Sequence, residues 1–140
     1  MTNDEGSQIA ALLNRRNQLT VPYDAARVTK SSDQYLFKSI EGQVVAAVEL
    51  KSVQWYQGEV CHLTVHENFE GKGYARCLIV EVEDRAATRS FRVLQCTIRE
   101  GNAESEKFFT KAGFSPVSRF HNKISGNNIT IWHKVLVPAL

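Results

Sequence analysis

The feature that most constrains the fold of this chain is a glycine turn, which lies between a segment of alternating apolar residues and a segment with helical spacing. The segment EVCHLTV (residues 59–65) has the alternation of a β-strand, and GKG (residues 71–73) follows it closely. From Tyr74 onward, apolar residues recur at the helical spacing 75, 78, 79, 82 and 86. Glycines at a helix start let an anion approach unpaired backbone N–H groups, and Lys72 and Arg76 add positive charge there. The turn therefore predicts a site for a phosphate-bearing cofactor.

The spacing of residues around the glycine turn does not fit two other kinds of phosphate-binding turn. A P-loop needs a glycine, four intervening residues and then Gly-Lys-Ser/Thr, and a dinucleotide-binding turn needs G-x-G-x-x-G. The sequence contains neither pattern. The turn thus belongs to another class of phosphate site, unless it is only a hairpin turn.

The length and charge of the chain narrow the class of protein. Its 140 residues suit one domain, spanning residues 1–140, with its own core. The 17 basic and 15 acidic side chains give a net charge of +2 without a basic run, so we expect no nucleic-acid partner. No apolar run has membrane-spanning length, and the polar start MTNDEGSQ is not a signal peptide. We therefore expect a cytoplasmic protein with no membrane partner.

The cysteines and histidines do not form a metal-binding pattern. Cys61, Cys77 and Cys96 have no C-x-x-C spacing and are expected to be buried free thiols in a reducing cytoplasm. His62 and His66 would lie on one side of a single strand, which by itself does not make a metal site. We expect no metal.

The remaining patterns predict an α+β domain with one mixed sheet. A strand, a helix and a strand around the glycine turn imply a crossover between parallel neighbours. Asn102 is a good N-cap and Gly113 a good helix end, so a second helix is expected between them. The other predicted elements are a first helix from about Ser7 to Gln18, the strands YLFKSI, QVVAAVELKSVQW and FRVLQCTI, and two last strands near Pro116–Ile124 and Ile129–Leu136.

Two motifs resemble those of the GNAT superfamily of N-acetyltransferases. LTVHENFEGKGYA resembles its acetyl-coenzyme A motif, an apolar strand followed by Gln/Arg-x-x-Gly-x-Gly/Ala at a helix start. Gly73 and Ala75 match that motif, whereas Glu70 replaces the usual Gln or Arg. NAESEKFFTKAGF resembles a later segment of the family, with matches at Asn102, Ser105, Phe108, Phe109, Gly113 and Phe114.

This resemblance implies a single GNAT-like domain with a central mixed, mostly antiparallel sheet flanked by helices. It also implies acetyl-coenzyme A as the cofactor, with the pantetheine arm paired to the backbone of Leu63, Thr64 and Val65. The pyrophosphate would be held by Gly71, Lys72, Gly73, Tyr74, Ala75 and Arg76. Asn102 would reach the pantetheine, and Phe109 would lie near the thioester sulfur. Asn102 would also cap a helix, and Phe108 and Phe109 would also suit a core, in any protein with this pattern.

The resemblance also suggests catalytic groups. Glu59 lies eleven residues before Glu70, the offset of the glutamate base in histone-type members, and its neighbours suggest an apolar strand. It could equally be the polar first residue of that strand, and His62 and His66 are weaker base candidates. Many members have a tyrosine acid where this chain has Phe109. Water, another side chain or an unprotonated leaving thiolate would replace that acid, unless the activity has been lost.

The acceptor is not readable from the sequence. In this fold the acceptor usually contacts the first helix and its following loop, and the hairpin between the last two strands. Here these segments carry Tyr23, Asp24, Arg27, His121, Asn122 and Lys123. The leading hypothesis is N-acetyl transfer to a primary amine of a small molecule or protein. The alternative is a non-catalytic GNAT-fold protein that binds coenzyme A or a protein partner as sensor or inhibitor. An interaction domain without a cofactor is a third possibility, and a homodimer is possible in each case.

Overall fold

The computed structural model describes residues 1–17, 19 and 21–136. In these residues the chain forms four α-helices and six strands. The helices are α1 (Asn3–Arg16), α2 (Ala25–Lys30), α3 (Tyr74–Thr88) and α4 (Ala103–Lys111). The strands are β1 (Tyr35–Ile40), β2 (Gln43–Gln54), β3 (Gln57–Val65), β4 (Val93–Arg99), β5 (Ser115–His121) and β6 (Asn128–Val135).

The strands form one mixed sheet in the order β1-β2-β3-β4-β6-β5. The pair β3–β4 is parallel and is connected through α3, whereas the other neighbouring pairs are antiparallel. The predicted α+β fold, with a mostly antiparallel sheet flanked by helices, is confirmed.

The parallel strands separate after a short stretch of pairing. Within the described residues, β3 pairs with β4 from Gln57 to Glu59, opposite Val93 to Gln95. Beyond Glu59, β3 continues to pair with β2 as far as Val65, while β4 continues to pair with β6. A cleft therefore opens between the second half of β3 and the elements that follow β4.

The core lies in two clusters that share β2. The larger cluster joins α3 and α4 to the sheet through residues such as Leu50, Leu78 and Phe109. The smaller one joins α1 and α2 to it through residues such as Leu13 and Val28. A buried side chain of this size contributes about 1.5–3 kcal/mol, so the two clusters fix the sheet between its helices.

Several predicted boundaries change. Helix α1 begins at Asn3 instead of Ser7, because Thr2 and Glu5 form a capping box that the apolar spacing does not reveal. Gln18, its predicted end, lies outside the described residues. Helix α2 was not predicted. It is short, and its N-cap is Asp24, whose side chain accepts a hydrogen bond from the Arg27 N–H at 2.7 Å.

The prediction that all three cysteines are buried is wrong for Cys77. Cys96 is 2% exposed and Cys61 is half-buried, but Cys77 is exposed because it lies off the apolar stripe of α3. All three are free thiols. Among the described residues, no cluster of His, Cys, Asp and Glu side chains could hold a metal ion. No helix in the described part of the chain is long and apolar enough to cross a membrane.

Candidate active site

A cavity of about 450 Å³ occupies the cleft beside β3. Its walls come from the end of α1, the second half of β3, the glycine turn and α4. All of the predicted cofactor residues except Lys72 line it, together with residues that the motifs do not assign to the cofactor: Arg16, Asn17, Phe69, Glu70, Glu104, Ser105 and Phe108. The structure thus brings the two sequence motifs together around one space.

The glycine turn has the backbone that an anion site needs. Gly71 and Gly73 have φ values of +75° and +85°, a left-handed conformation that other residues adopt at a cost. A Cβ at either position would meet no atom within 4 Å, so the space beside the turn is open. Gly73 is the N-cap of α3 and supplies no capping side chain. The first N–H groups of α3 therefore have neither an intrahelical acceptor nor a side-chain cap.

The ammonium group of Lys72 lies over an aromatic ring. Its Nζ lies 5.3 Å from the centroid of the Phe69 ring, in a cation–π contact, and the residue does not line the cavity. The Phe69 ring in turn packs edge-on against Tyr74. The cations that line the cavity are instead Arg76 and Arg16.

Two ion pairs connect α1 to the segment between β3 and α3. Arg16 pairs with Glu70, and Arg15 pairs with Glu67. Arg16 and Glu70 both line the cavity, so the residue that departs from the family motif holds a cation at the cavity wall. The sequence motifs do not reveal Arg16, because it lies far from them along the chain.

Helix α4 presents both predicted residues to the cavity. Asn102 accepts a hydrogen bond from the Ser105 N–H at 3.3 Å and is therefore the N-cap as well as a lining residue. Phe109 is 8% exposed and packs edge-on against Phe108 and Phe114, with centroids 5.1 Å apart in each case. The Phe109 ring thus belongs to the core and to the cavity wall at once.

The β3 wall contains a β-bulge at His62. Ala47 pairs with Thr64 and Glu49 pairs with Cys61, so β3 has one residue more than β2 over this interval. His62 has a φ of +54°. Its carbonyl accepts a hydrogen bond from the Thr64 hydroxyl at 2.6 Å, and that hydroxyl accepts one from Asn17 Nδ2 at 2.9 Å.

Glu59 has more polar surroundings than its neighbours in the sequence suggest. Its carboxylate accepts hydrogen bonds from Gln95 Nε2 at 3.1 Å and from the Cys61 thiol at 3.3 Å. Burial, followed by the nearby Glu59 charge, raises the pKa of Cys61 far above its ordinary value, so this thiol stays protonated. Glu59 is half-buried and does not line the cavity.

A hydrogen-bonded chain that was not predicted lies next to the bulge. Glu49 is 2% exposed and accepts a hydrogen bond from the Tyr23 hydroxyl at 2.9 Å. The same hydroxyl lies 2.8 Å from His62 Nδ1. Burial, followed by the Glu49 charge, raises the pKa of Tyr23. The available sequence signal was Glu49 itself, a single acid within the apolar run VVAAVEL.

The predicted acceptor segments fall into two groups. Tyr23 joins the chain that ends at His62, and the Arg27 guanidinium lies 4.1 Å from the centroid of the Tyr23 ring. His121, Asn122 and Lys123 belong to the β5–β6 hairpin and do not line the cavity. The loop after α1 is therefore the acceptor segment that contacts the β3 bulge.

The sequence matches the family model described as the acetyltransferase (GNAT) family over residues 7–114. Because this match covers well over half of the chain, the protein belongs to the GNAT acetyltransferase family. No curated protein matches the sequence.

Solved structures share the fold at low sequence identity. A ribosomal-protein-alanine N-acetyltransferase from Brucella melitensis has a TM-score of 0.82 and 21% identity, with 97% of each chain covered. The putative acetyltransferase yncA from Salmonella typhimurium, solved with acetyl-CoA, has a TM-score of 0.83 and 17% identity, covering 99% of this chain and 92% of its own. Rv2747 from Mycobacterium tuberculosis, solved with CoA and NLQ, has a TM-score of 0.79 and 12% identity, covering 97% and 96%.

Proposed function

We propose that the protein is an acetyl-coenzyme A-dependent N-acetyltransferase that acts on a primary amine of a small molecule or protein. One observation carries this proposal. The unpaired side of β3 and the start of α3, where Gly73 gives no side-chain cap, line the same cavity. An extended chain can pair with the free side of a strand, and a pyrophosphate suits uncapped N–H groups at a helix start. Acetyl-coenzyme A has both parts.

The residues around the cavity fit this cofactor. The backbone of Leu63, Thr64 and Val65 would pair with the pantetheine arm, and Asn102 would reach the same arm from α4. The turn from Gly71 to Arg76 would hold the pyrophosphate, with positive charge from Arg76. When bound, acetyl-coenzyme A supplies an activated acetyl thioester.

The proposed transfer needs a base for the amine and stabilisation of the leaving thiolate. Glu59 is the base predicted from the family resemblance, and it lies where β3 and β4 separate. The ring of Phe109 has no proton to donate. The thiolate would therefore take a proton from water or leave under the stabilisation of backbone N–H groups.

Both acceptor classes have support among structural neighbours. The structures from Brucella melitensis and Escherichia coli are named ribosomal-protein-alanine and ribosomal-protein-S18-alanine N-acetyltransferases, and the NatC complex was solved with a Gag peptide and CoA. Another neighbour is a putative streptothricin acetyltransferase from Bacillus anthracis. We propose a peptide amine as the first acceptor to test and small-molecule amines as the second. The free thiols agree with a cytoplasmic location.

The second candidate is a non-catalytic protein that binds coenzyme A or a protein partner. The phenylalanine at position 109 and the acidic Glu70 favour it. Calorimetry with acetyl-coenzyme A is the first test, because the enzyme and a non-catalytic coenzyme A-binding protein both bind it, whereas an interaction domain without a cofactor does not. A thiol-release assay over a panel of peptide and small-molecule amines then separates them. Binding without release for any amine would contradict the enzymatic proposal.

A further inference from the structure

A buried acid is connected to the imidazole of His62 through one tyrosine. Glu49 lies on β2 and Tyr23 lies in the loop after α1; they are 2% and 4% exposed. The Tyr23 hydroxyl is 2.9 Å from Glu49 Oε1 and 2.8 Å from His62 Nδ1. His62 is exposed as a residue, although its ring packs edge-on against Tyr23 with centroids 5.6 Å apart.

The Tyr23 hydroxyl has a single proton, and the direction in which it is donated determines the tautomer of the His62 imidazole. An ionised carboxylate can only accept hydrogen bonds, so Tyr23 donates its proton toward Glu49. The hydroxyl oxygen must then accept a hydrogen bond from His62 Nδ1, which places the ring proton on Nδ1. The lone pair of a neutral imidazole is consequently on Nε2, and no described residue forms a hydrogen bond with that atom.

The bulge connects this imidazole to the cavity wall. His62 immediately precedes Leu63, Thr64 and Val65, which line the cavity. Its carbonyl is fixed by the Thr64 hydroxyl, which in turn is held by Asn17, another lining residue. His62 itself does not line the cavity; its backbone adjoins the lining residues, and its ring contacts Tyr23 in the loop after α1.

We propose that His62, held by Tyr23 and Glu49 with its proton on Nδ1, is the general base that removes a proton from the acceptor amine. The proposal rests on the proposed N-acetyltransferase function and deepens it. His62 Nε2 accepts one proton from the acceptor ammonium. The freed amine lone pair forms the N–C bond to the acetyl carbon as the C–S bond breaks, with its electron pair going to sulfur. The second proton lost by nitrogen passes to water or to the departing thiolate, and His62 releases its own proton to solvent.

The charges around the ring suit a base that is neutral near pH 7. Desolvation of the ring lowers the pKa of His62; Glu59 opposes this shift, and the Arg27 and Lys51 cations add to it. The titratable and charged groups that face the ring from its neighbouring elements are Tyr23, Arg27, Glu49, Lys51, Glu59 and Cys61. Glu59 itself has both carboxylate oxygens engaged, by Gln95 and by Cys61.

His66 is a less suitable base than His62. Its Nδ1 accepts a hydrogen bond from the Asn68 N–H at 3.1 Å and so caps the short turn after β3. Neither histidine lines the cofactor cavity, so the two differ in the partner of Nδ1, which is the Tyr23 hydroxyl for His62 and a backbone N–H for His66. His66 therefore provides a matched control on the same segment.

The first test observes the ring without any turnover. Nitrogen-15 NMR of the free protein should show His62 protonated on Nδ1, with a pKa below that of an exposed histidine. Tyr23→Phe removes the acceptor of the Nδ1 proton, so the Nε2–H form should become more populated. A predominant Nε2–H form in the unaltered protein would overturn the proposed arrangement.

The second test compares His62→Asn with His66→Asn. Asparagine tolerates the positive φ at position 62 and can replace His66 as a cap. His62→Asn should lower kcat near pH 7 by about 10²–10⁴-fold, with unchanged acetyl-coenzyme A affinity by calorimetry, and His66→Asn should retain kcat. Normal turnover by a folded His62→Asn protein would overturn the role of His62 and leave the acetyltransferase function standing. Failure of the unaltered protein to bind acetyl-coenzyme A would instead overturn the proposed function itself, and the catalytic role with it.

Discussion

Glu59 and Gln95 are the last paired residues of the parallel strands β3 and β4, and their side chains form a hydrogen bond of 3.1 Å. Gln95 Oε1 also accepts a hydrogen bond at 2.7 Å from Nε2 of Gln57, which lies two residues before Glu59 on β3. This polar ladder lies where the two strands separate. It gives Glu59 a structural role in addition to any part in proton transfer.

Replacing Glu59 by glutamine separates these two roles. If His62 is the base, Glu59→Gln removes only a favourable charge near it, and kcat near pH 7 should fall by less than about tenfold, whereas loss of a general base lowers the rate by 10²–10⁴-fold. The measurement is kcat for Glu59→Gln and His62→Asn under the same conditions. If kcat fell by two or more orders of magnitude in Glu59→Gln and stayed normal in His62→Asn, Glu59 would be the general base and His62 would not.

A methyl group at Gly73 should weaken cofactor binding. Gly73→Ala places a Cβ in the open space beside the helix start, and we expect acetyl-coenzyme A affinity to fall at least about tenfold, the loss of one or more charge-assisted hydrogen bonds. Gly42→Ala is the matched control, because Gly42 has a φ of +82° but lies in the β1–β2 turn. Each variant should lose about 1–2 kcal/mol of stability from backbone strain. Equal cofactor affinities in the two folded variants would show that the Gly73 turn does not bind phosphate.

Glu70 should oppose an anionic ligand. Glu70→Gln removes a negative charge from the cavity wall and releases Arg16, so acetyl-coenzyme A affinity at low salt should rise about two- to fivefold, with a smaller gain at high salt. Glu67→Gln is the control, since Glu67 pairs with Arg15 and does not line the cavity. Calorimetry at two salt concentrations measures both effects. A weaker Glu70→Gln complex would mean that the Arg16–Glu70 pair supports the cavity.

The lowered pKa of His62 predicts how stability depends on pH. Between the folded pKa and the unfolded value near 6.5, the unfolded chain binds more protons at this site, so stability falls as the pH falls through this window. Above the unfolded pKa the histidine is neutral in both states and makes no such contribution to the slope. Denaturant unfolding from pH 7.5 downward should therefore show a smaller acid loss in His62→Asn than in the unaltered protein. Parallel stability curves for the two would contradict the lowered pKa.

The sequence predicted the parts of the site that depend on local pattern. Gly71, Gly73 and Asn102 were identifiable because a helix start needs particular residues at fixed offsets, and the structure places all three around the cavity. The chain Glu49–Tyr23–His62 could not be predicted in this way. It depends on a bulge in β3 and on a loop that packs across β2, and these long-range contacts leave no periodic signal.

A hydroxyl added to the Phe109 ring should have room, because this ring belongs both to the core and to the cavity wall. Phe109→Tyr adds one hydroxyl, which the cavity can accommodate, so the variant should lose little stability. If departure of the thiolate is slow, the new hydroxyl should also raise kcat. Phe114→Tyr is the matched control: Phe114 is 3% exposed in the same cluster and does not line the cavity, so its hydroxyl should lack a partner and cost about 1–3 kcal/mol. Thermal unfolding and calorimetry measure both variants. An equal drop in melting temperature for the two, with unchanged cofactor affinity, would place the Phe109 ring edge in the core and remove it from the thioester site.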